Sequence, residues 1–117
     1  MIYQGSCHCG DITFEAEGEN DIGPVVDCNC SYCSRKGTLL WFVPRDKLTL
    51  KTPHSAITTY HFNKHVIDHQ FCKRCGCQPF GFGVDPQGNK MAAINVRCLD
   101  GIDLGHLKHI HYDGRSA

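Results

Sequence analysis

The stretch "GSCHCGDITFEAEG", residues 5–18, joins two signals that together decide the fold. Its first half sets Cys7 and Cys9 one residue apart, a C-x-C pair that can turn two thiols to one side. Its second half alternates Ile12, Phe14 and Ala16 with polar neighbours, the period of two expected of a strand with one buried face. A cysteine pair abutting a half-buried strand predicts a β protein with zinc knuckles between its strands.

Short runs of the same kind recur outward from this stretch. They are "LLWFV" (39–43), "KLTLK" (47–51), "ITTYHF" (57–62), "VIDHQF" (66–71), "PFGFGV" (79–84) and "MAAINV" (91–96), mostly with Gly, Pro, Asn or Asp close to their ends. This predicts an all-β fold of seven or eight strands. One helical turn is expected over Ser31–Lys36, with Gly37 as its stop. At 117 residues, a single domain over 1–117 with one core is expected. Strands this short contribute few inward side chains each, so bound metal is expected to supply part of the stability.

Twelve Lys and Arg balance twelve Asp and Glu, and neither sign forms a long run. That argues against a nucleic-acid or anionic-membrane partner held mainly by charge, and favours small neutral or zwitterionic ones. The longest apolar run, Leu39–Val43, is far short of a membrane span. With no basic segment and apolar stretch at the start, a cytoplasmic protein is expected. An odd count of nine cysteines also weakens a disulfide reading, leaving thiols available to metal. Of the eight histidines, His61, His65, His69, His106, His109 and His111 lie singly in alternating segments and read as sheet histidines.

The cysteines fall into "CHC" (Cys7, Cys9), "CNCSYC" (Cys28, Cys30, Cys33) and "CKRCGC" (Cys72, Cys75, Cys77), with Cys98 apart. Zinc–sulfur bonds near 2.3 Å put tetrahedral ligands about 3.8 Å apart, within reach of both C-x-x-C and C-x-C pairs. The economical division is a closed site of Cys7, Cys9, Cys72 and Cys75, leaving Cys28, Cys30 and Cys33 as a three-thiolate site. Spacing alone leaves other pairings open. Iron–sulfur ligation is the main alternative for the metal, but its usual cysteine spacings are absent. Cys77, close behind the C-x-x-C turn, is an alternative or supplementary ligand, but it and Cys98 read first as structural cysteines, Cys98 as a small buried hydrophobe.

Three thiolates with an open fourth position form a catalytic or ligand-exchanging zinc site. Their summed charge makes zinc a poor activator of water but a good host for a further thiolate. A small-molecule thiol bound there would lose its proton at neutral pH, against a free-thiol pKa of about 8.5. The expected chemistry is making or breaking a carbon–sulfur bond. The motifs of zinc deaminases and of H-E-x-x-H metallohydrolases are absent.

In order and spacing, "GSCHCG" (5–10), "CNCSYCSR" (28–35), "LWFVPRDKLTL" (40–50), "HQFCKRCG" (69–76) and "INVRCLDGIDL" (94–104) resemble the glutathione-dependent formaldehyde-activating enzyme family, which includes centromere protein V. The resemblance covers essentially the whole chain. It implies a zinc-containing β-tent fold, two antiparallel sheets leaning together. It also implies the carbon–sulfur lyase activity of S-(hydroxymethyl)glutathione synthase, with glutathione as co-substrate. The family's structural zinc maps onto Cys7, Cys9, Cys72 and Cys75, and its catalytic zinc onto Cys28, Cys30 and Cys33. Candidates for holding glutathione's carboxylates are Arg35, Lys36 and Arg97, and Trp41 and Phe42 are candidates for a pocket wall or the core. The alternative is a non-catalytic, zinc-stabilised binding or structural module. A redox or zinc-transfer device is a third reading of the open three-cysteine site.

Overall fold

In the computed structural model, which describes residues 1–62 and 67–116, the opening stretch becomes two strands joined by a cysteine-bearing turn. β1 (Ile2–Ser6) pairs antiparallel with β2 (Thr13–Glu17), placing Tyr3 opposite Ala16 and Gly5 opposite Phe14. Phe14 and Ala16 are fully buried, as the alternation predicts. Gly5 has a steric reason: an added Cβ would lie 2.4 Å from the Phe14 ring. β5 (Leu48–Leu50) completes this three-stranded sheet on the far side of β2.

The second sheet has seven strands. Besides β3 (Val25–Cys28), it contains β4 (Leu40–Pro44), β6 (Ile57–Tyr60), β7 (Asp68–Cys72), β8 (Phe80–Val84), β9 (Lys90–Asn95) and β10 (His109–Tyr112), in the order β10-β3-β4-β9-β8-β7-β6. The sheets meet through edge-to-face ring contacts at 5.3 Å, Phe14 against Phe80 and Tyr3 against Trp41. Ile12, Val25, Val43, Ala92, Ile94 and Val96 fill the space around them.

The all-β expectation holds, with two differences of detail. Ten strands form among the described residues rather than seven or eight, the additional ones being β1, β3 and β10. The sheets are antiparallel except at one edge, where β10 lies parallel to β3 with His109 beside Val25 and Tyr112 beside Cys28. All four β10 residues are exposed, so its sequence carries no buried-face alternation, and pairing with β3 defines it. The expected turn of helix is present as α1 (Ser31–Lys36), ended by Gly37 at φ 71°. His65 and Val66, from the expected strand over 66–71 and its approach, lie outside the described residues. No helix among the described residues is long and apolar enough to cross a membrane.

Candidate metal centre

Two turns that are remote in sequence build the first thiol cluster. After β1, the Cys7 N–H bonds to the Ile12 carbonyl at 3.0 Å, closing a turn that carries Cys9. At the end of β7, Cys72 receives the Gly76 N–H on its carbonyl at 3.0 Å and sends its own N–H to Cys77 at 3.0 Å, closing the turn that carries Cys75. The sulfurs of Cys7, Cys9, Cys72 and Cys75 all lie within 4.8 Å of one another. Cys7 and Cys9 Sγ are 3.7 Å apart, and Cys9 and Cys72 Sγ 3.5 Å. These separations suit the edges of a zinc–thiolate tetrahedron. Backbone N–H groups of Ile12, Arg74 and Cys75 point at the Cys7 and Cys72 sulfurs at 3.3–3.4 Å, fixing where those sulfurs lie.

Cys28, Cys30 and Cys33 form the second cluster, again within 4.8 Å sulfur to sulfur. Cys28 ends β3, Cys30 is the N-cap of α1, and Cys33 lies in its first turn. The Cys30 sulfur accepts the Cys33 N–H at 3.3 Å, so the helix cap and the thiol cluster are one structure. Asn29, between two of these cysteines, is tied to the chain end. Its N–H bonds to the Tyr112 carbonyl at 3.1 Å, its Nδ2 to Asp113 at 3.0 Å, and its Oδ1 accepts the Arg115 N–H at 3.0 Å. Gly114 packs on the cluster, since a Cβ there would lie 2.5 Å from Cys28 Sγ.

In both clusters the crowded thiols shift one another's ionisation. In the first, the Asp11 N–H favours the Cys9 thiolate, but burial and the adjoining thiols of Cys72, Cys7 and Cys75 prevail and push it up to about 12. Burial opposes ionisation of Cys75, yet the backbone N–H groups of Cys77 and Cys9 and the thiols of Cys72 and Cys7 bring it down to about 5. In the second cluster burial pushes Cys28 up, and burial with the Cys30 hydrogen bond pushes Cys33 up to about 12. Cys30 goes down despite its burial, because the Cys33 N–H and the neighbouring thiols donate to it. Thiols gathered this closely are a donor set that fits a divalent, thiophilic cation. The clusters differ in closure: the first offers four sulfurs, with Cys7 and Cys72 buried, and the second offers three, each partly exposed.

The other expected site residues separate. Arg35 and Lys36 lie on α1 and line a cleft of about 620 Å³ together with Tyr32, Tyr60, Phe62 and Phe71. Arg97 is exposed after β9 and does not line that cleft. Trp41 is core, and Phe42 is exposed on the opposite face of β4; neither lines the cleft. Cys77 and Cys98 stand outside both clusters. Cys98 is flanked by the Gln78 carbonyl at 3.7 Å and Asn95 Nδ2 at 3.8 Å, and burial pushes its thiol up to about 12. No described histidine joins either cluster. Sequence reasoning missed the rings of Tyr32, Tyr60, Phe62 and Phe71 as a site, although "TYHF" (59–62) shows two aromatics alternating near the end of a strand.

An all-β protein whose turns gather four thiols in one place and three in another carries the donor sets of a small thiolate metal-binding protein. Residues 2–112 match the family described as "Glutathione-dependent formaldehyde-activating enzyme", and the chain belongs to that family. Among solved structures, a Rhodobacter sphaeroides protein is 26% identical and superposes with a TM-score of 0.78, over 92% of this chain and 99% of that one.

Proposed function

We propose that the chain, as a single catalytic domain over 1–117, is a cytoplasmic carbon–sulfur lyase resembling S-(hydroxymethyl)glutathione synthase. It joins the thiolate of glutathione to formaldehyde or a related small electrophile. The observation that carries this reading is the contrast between a closed four-sulfur cluster and a partly exposed three-sulfur cluster in a chain of this family. Cys7, Cys9, Cys72 and Cys75 would hold a structural zinc, and Cys28, Cys30 and Cys33 a catalytic one. Bound zinc supplies positive charge that keeps an incoming thiol deprotonated at neutral pH.

The residues of the chain would do the rest. α1 and Asn29 hold the three sulfurs in place. Arg35 and Lys36 serve glutathione's carboxylates, and among the described residues neither is paired with a carboxylate. Arg97, outside their cleft, is at most a separate contact. The thiolate sulfur attacks the carbonyl carbon, a carbon–sulfur bond forms, and the carbonyl π pair moves to oxygen, which takes up a proton.

The test is NMR exchange between formaldehyde, glutathione and their adduct, run with the wild type, with Cys33→Ser and without protein, alongside zinc analysis. The expected result is faster exchange with the wild type, and loss of one zinc and of the acceleration in Cys33→Ser. Exchange no faster than the uncatalysed rate would remove the formaldehyde reading. A Cys33→Ser protein with two zinc ions and full activity would remove the site assignment.

A further inference from the structure

The cleft on α1 is walled by aromatic rings and bordered by two cations. Tyr32 stacks on Tyr60 with ring centroids 5.6 Å apart and planes 14° off parallel, and on Phe62 at 5.4 Å and 21°. Tyr60 and Phe62 stack on each other at 5.9 Å and 23°. Behind them His69, 8% exposed, lies 4.2 Å from the Tyr32 ring. The Tyr32 hydroxyl is tied to the Gln78 amide oxygen, which anchors the rings to the loop after the four-sulfur cluster. The result is a bed of nearly parallel rings rather than scattered aromatics. Tyr60 is 47% exposed and lines the cleft.

Charge and position narrow what such a bed accepts. Arg35 and Lys36 border it, and among the described residues no carboxylate lines the cleft. Tyr32 lies between Cys30 and Cys33 in sequence, so the ring bed begins beside the three-sulfur cluster. A helix with its side chains is about 10 Å across, and a tripeptide extends roughly 3.3–3.6 Å per residue. A tripeptide thiol with its sulfur at the cysteines can therefore bring its carboxylates to Arg35 and Lys36. Pockets of about 300–1000 Å³ suit a ligand of drug size, and the cleft, at about 620 Å³, falls in that range.

We infer that the electrophiles accepted here extend to planar aromatic aldehydes, whose ring lies on the Tyr32–Tyr60–Phe62 bed while the tripeptide's carboxylates meet Arg35 and Lys36. This rests on the reading of glutathione as the thiol. The thiolate sulfur bonds to the aldehyde carbon, the carbonyl π pair becomes an alkoxide, and the alkoxide takes the proton that the thiol gave up. The product is a hemithioacetal, and nothing is oxidised or reduced.

The test is calorimetric titration of the zinc-loaded protein with two stable analogues, S-(naphthylmethyl)glutathione and S-methylglutathione. The naphthyl compound should bind roughly tenfold tighter, as expected of one or two ring stackings. Tyr60→Ala should remove most of that preference and Tyr60→Phe should keep it. Phe62→Leu, which keeps an apolar side chain but loses the plane, should also lower it. Equal binding of the two analogues overturns the aromatic inference and leaves the glutathione reading standing. Failure of both to bind overturns the glutathione reading as well. A preference that survives in both Tyr60→Ala and Phe62→Leu shows that the ring lies elsewhere and overturns the assignment of this cleft.

Discussion

Gly114 shows how little room a thiol cluster leaves its neighbours. A methyl group at this position would sit 2.5 Å from Cys28 Sγ and 3.1 Å from Cys30 Cβ, so the chain end or the cluster must shift to admit it. Overpacking of this kind costs about 1–3 kcal/mol. Gly114→Ala is therefore expected to weaken metal binding at the three-sulfur cluster by roughly ten- to a hundredfold, with the four-sulfur cluster unchanged. Competition against a chromophoric chelator measures this, and equal affinity in both proteins would contradict it. The cysteine groups themselves were legible, because C-x-C and C-x-x-C are local patterns with a local geometric consequence. Gly114 was not: its role depends on a contact with residues some eighty positions earlier, which no spacing rule reports.

At the scale of elements, α1 is the piece on which the candidate site depends. It has only six residues, its N-cap is a cluster sulfur, and it ends on Gly37 in the left-handed region, whose N–H bonds to the Cys33 carbonyl at 2.9 Å. An L side chain with a Cβ is strained at φ 71°, and Gly37→Ala should cost about 1 kcal/mol. The expected outcome is a melting temperature lower by a few degrees and weaker metal binding at Cys28, Cys30 and Cys33, read by thermal melting and metal titration. An unchanged melting temperature would mean that the helix end relaxes freely. The helix and its stop were readable, since Gly after a polar turn is a backbone signal. Strand β10 was not, because its four exposed residues carry no periodicity, and β1 was hidden by Gly5 standing where an inward apolar residue would have completed the alternation.

For the whole molecule, the two sheets meet over a narrow layer centred on the Phe14–Phe80 and Tyr3–Trp41 contacts, and the first cysteine cluster staples residues 7–9 to residues 72–75 across it. Structural zinc contributes on the order of 10 kcal/mol in small modules, comparable to a domain's whole net stability. Removing metal with a strong chelator should therefore lower the melting temperature by roughly tens of degrees or abolish the cooperative transition, and zinc should restore it. Circular dichroism with and without chelator measures this. A melting curve indifferent to chelation would show that the aromatic layer suffices.

What the sequence determined by itself follows from short-range chemistry. Alternation along a strand declares which face is buried, and paired cysteines declare a metal-binding turn, so the all-β class and the two thiol groups were readable without coordinates. The parallel pairing of β10 with β3, the seating of the chain end on Cys28, and the gathering of Tyr32, Tyr60, Phe62 and Phe71 into one cleft were decided only by the tertiary structure. Each joins residues far apart in the chain through backbone pairing or van der Waals fit. Such contacts depend on where the two sheets come to rest, and a linear pattern does not encode that position.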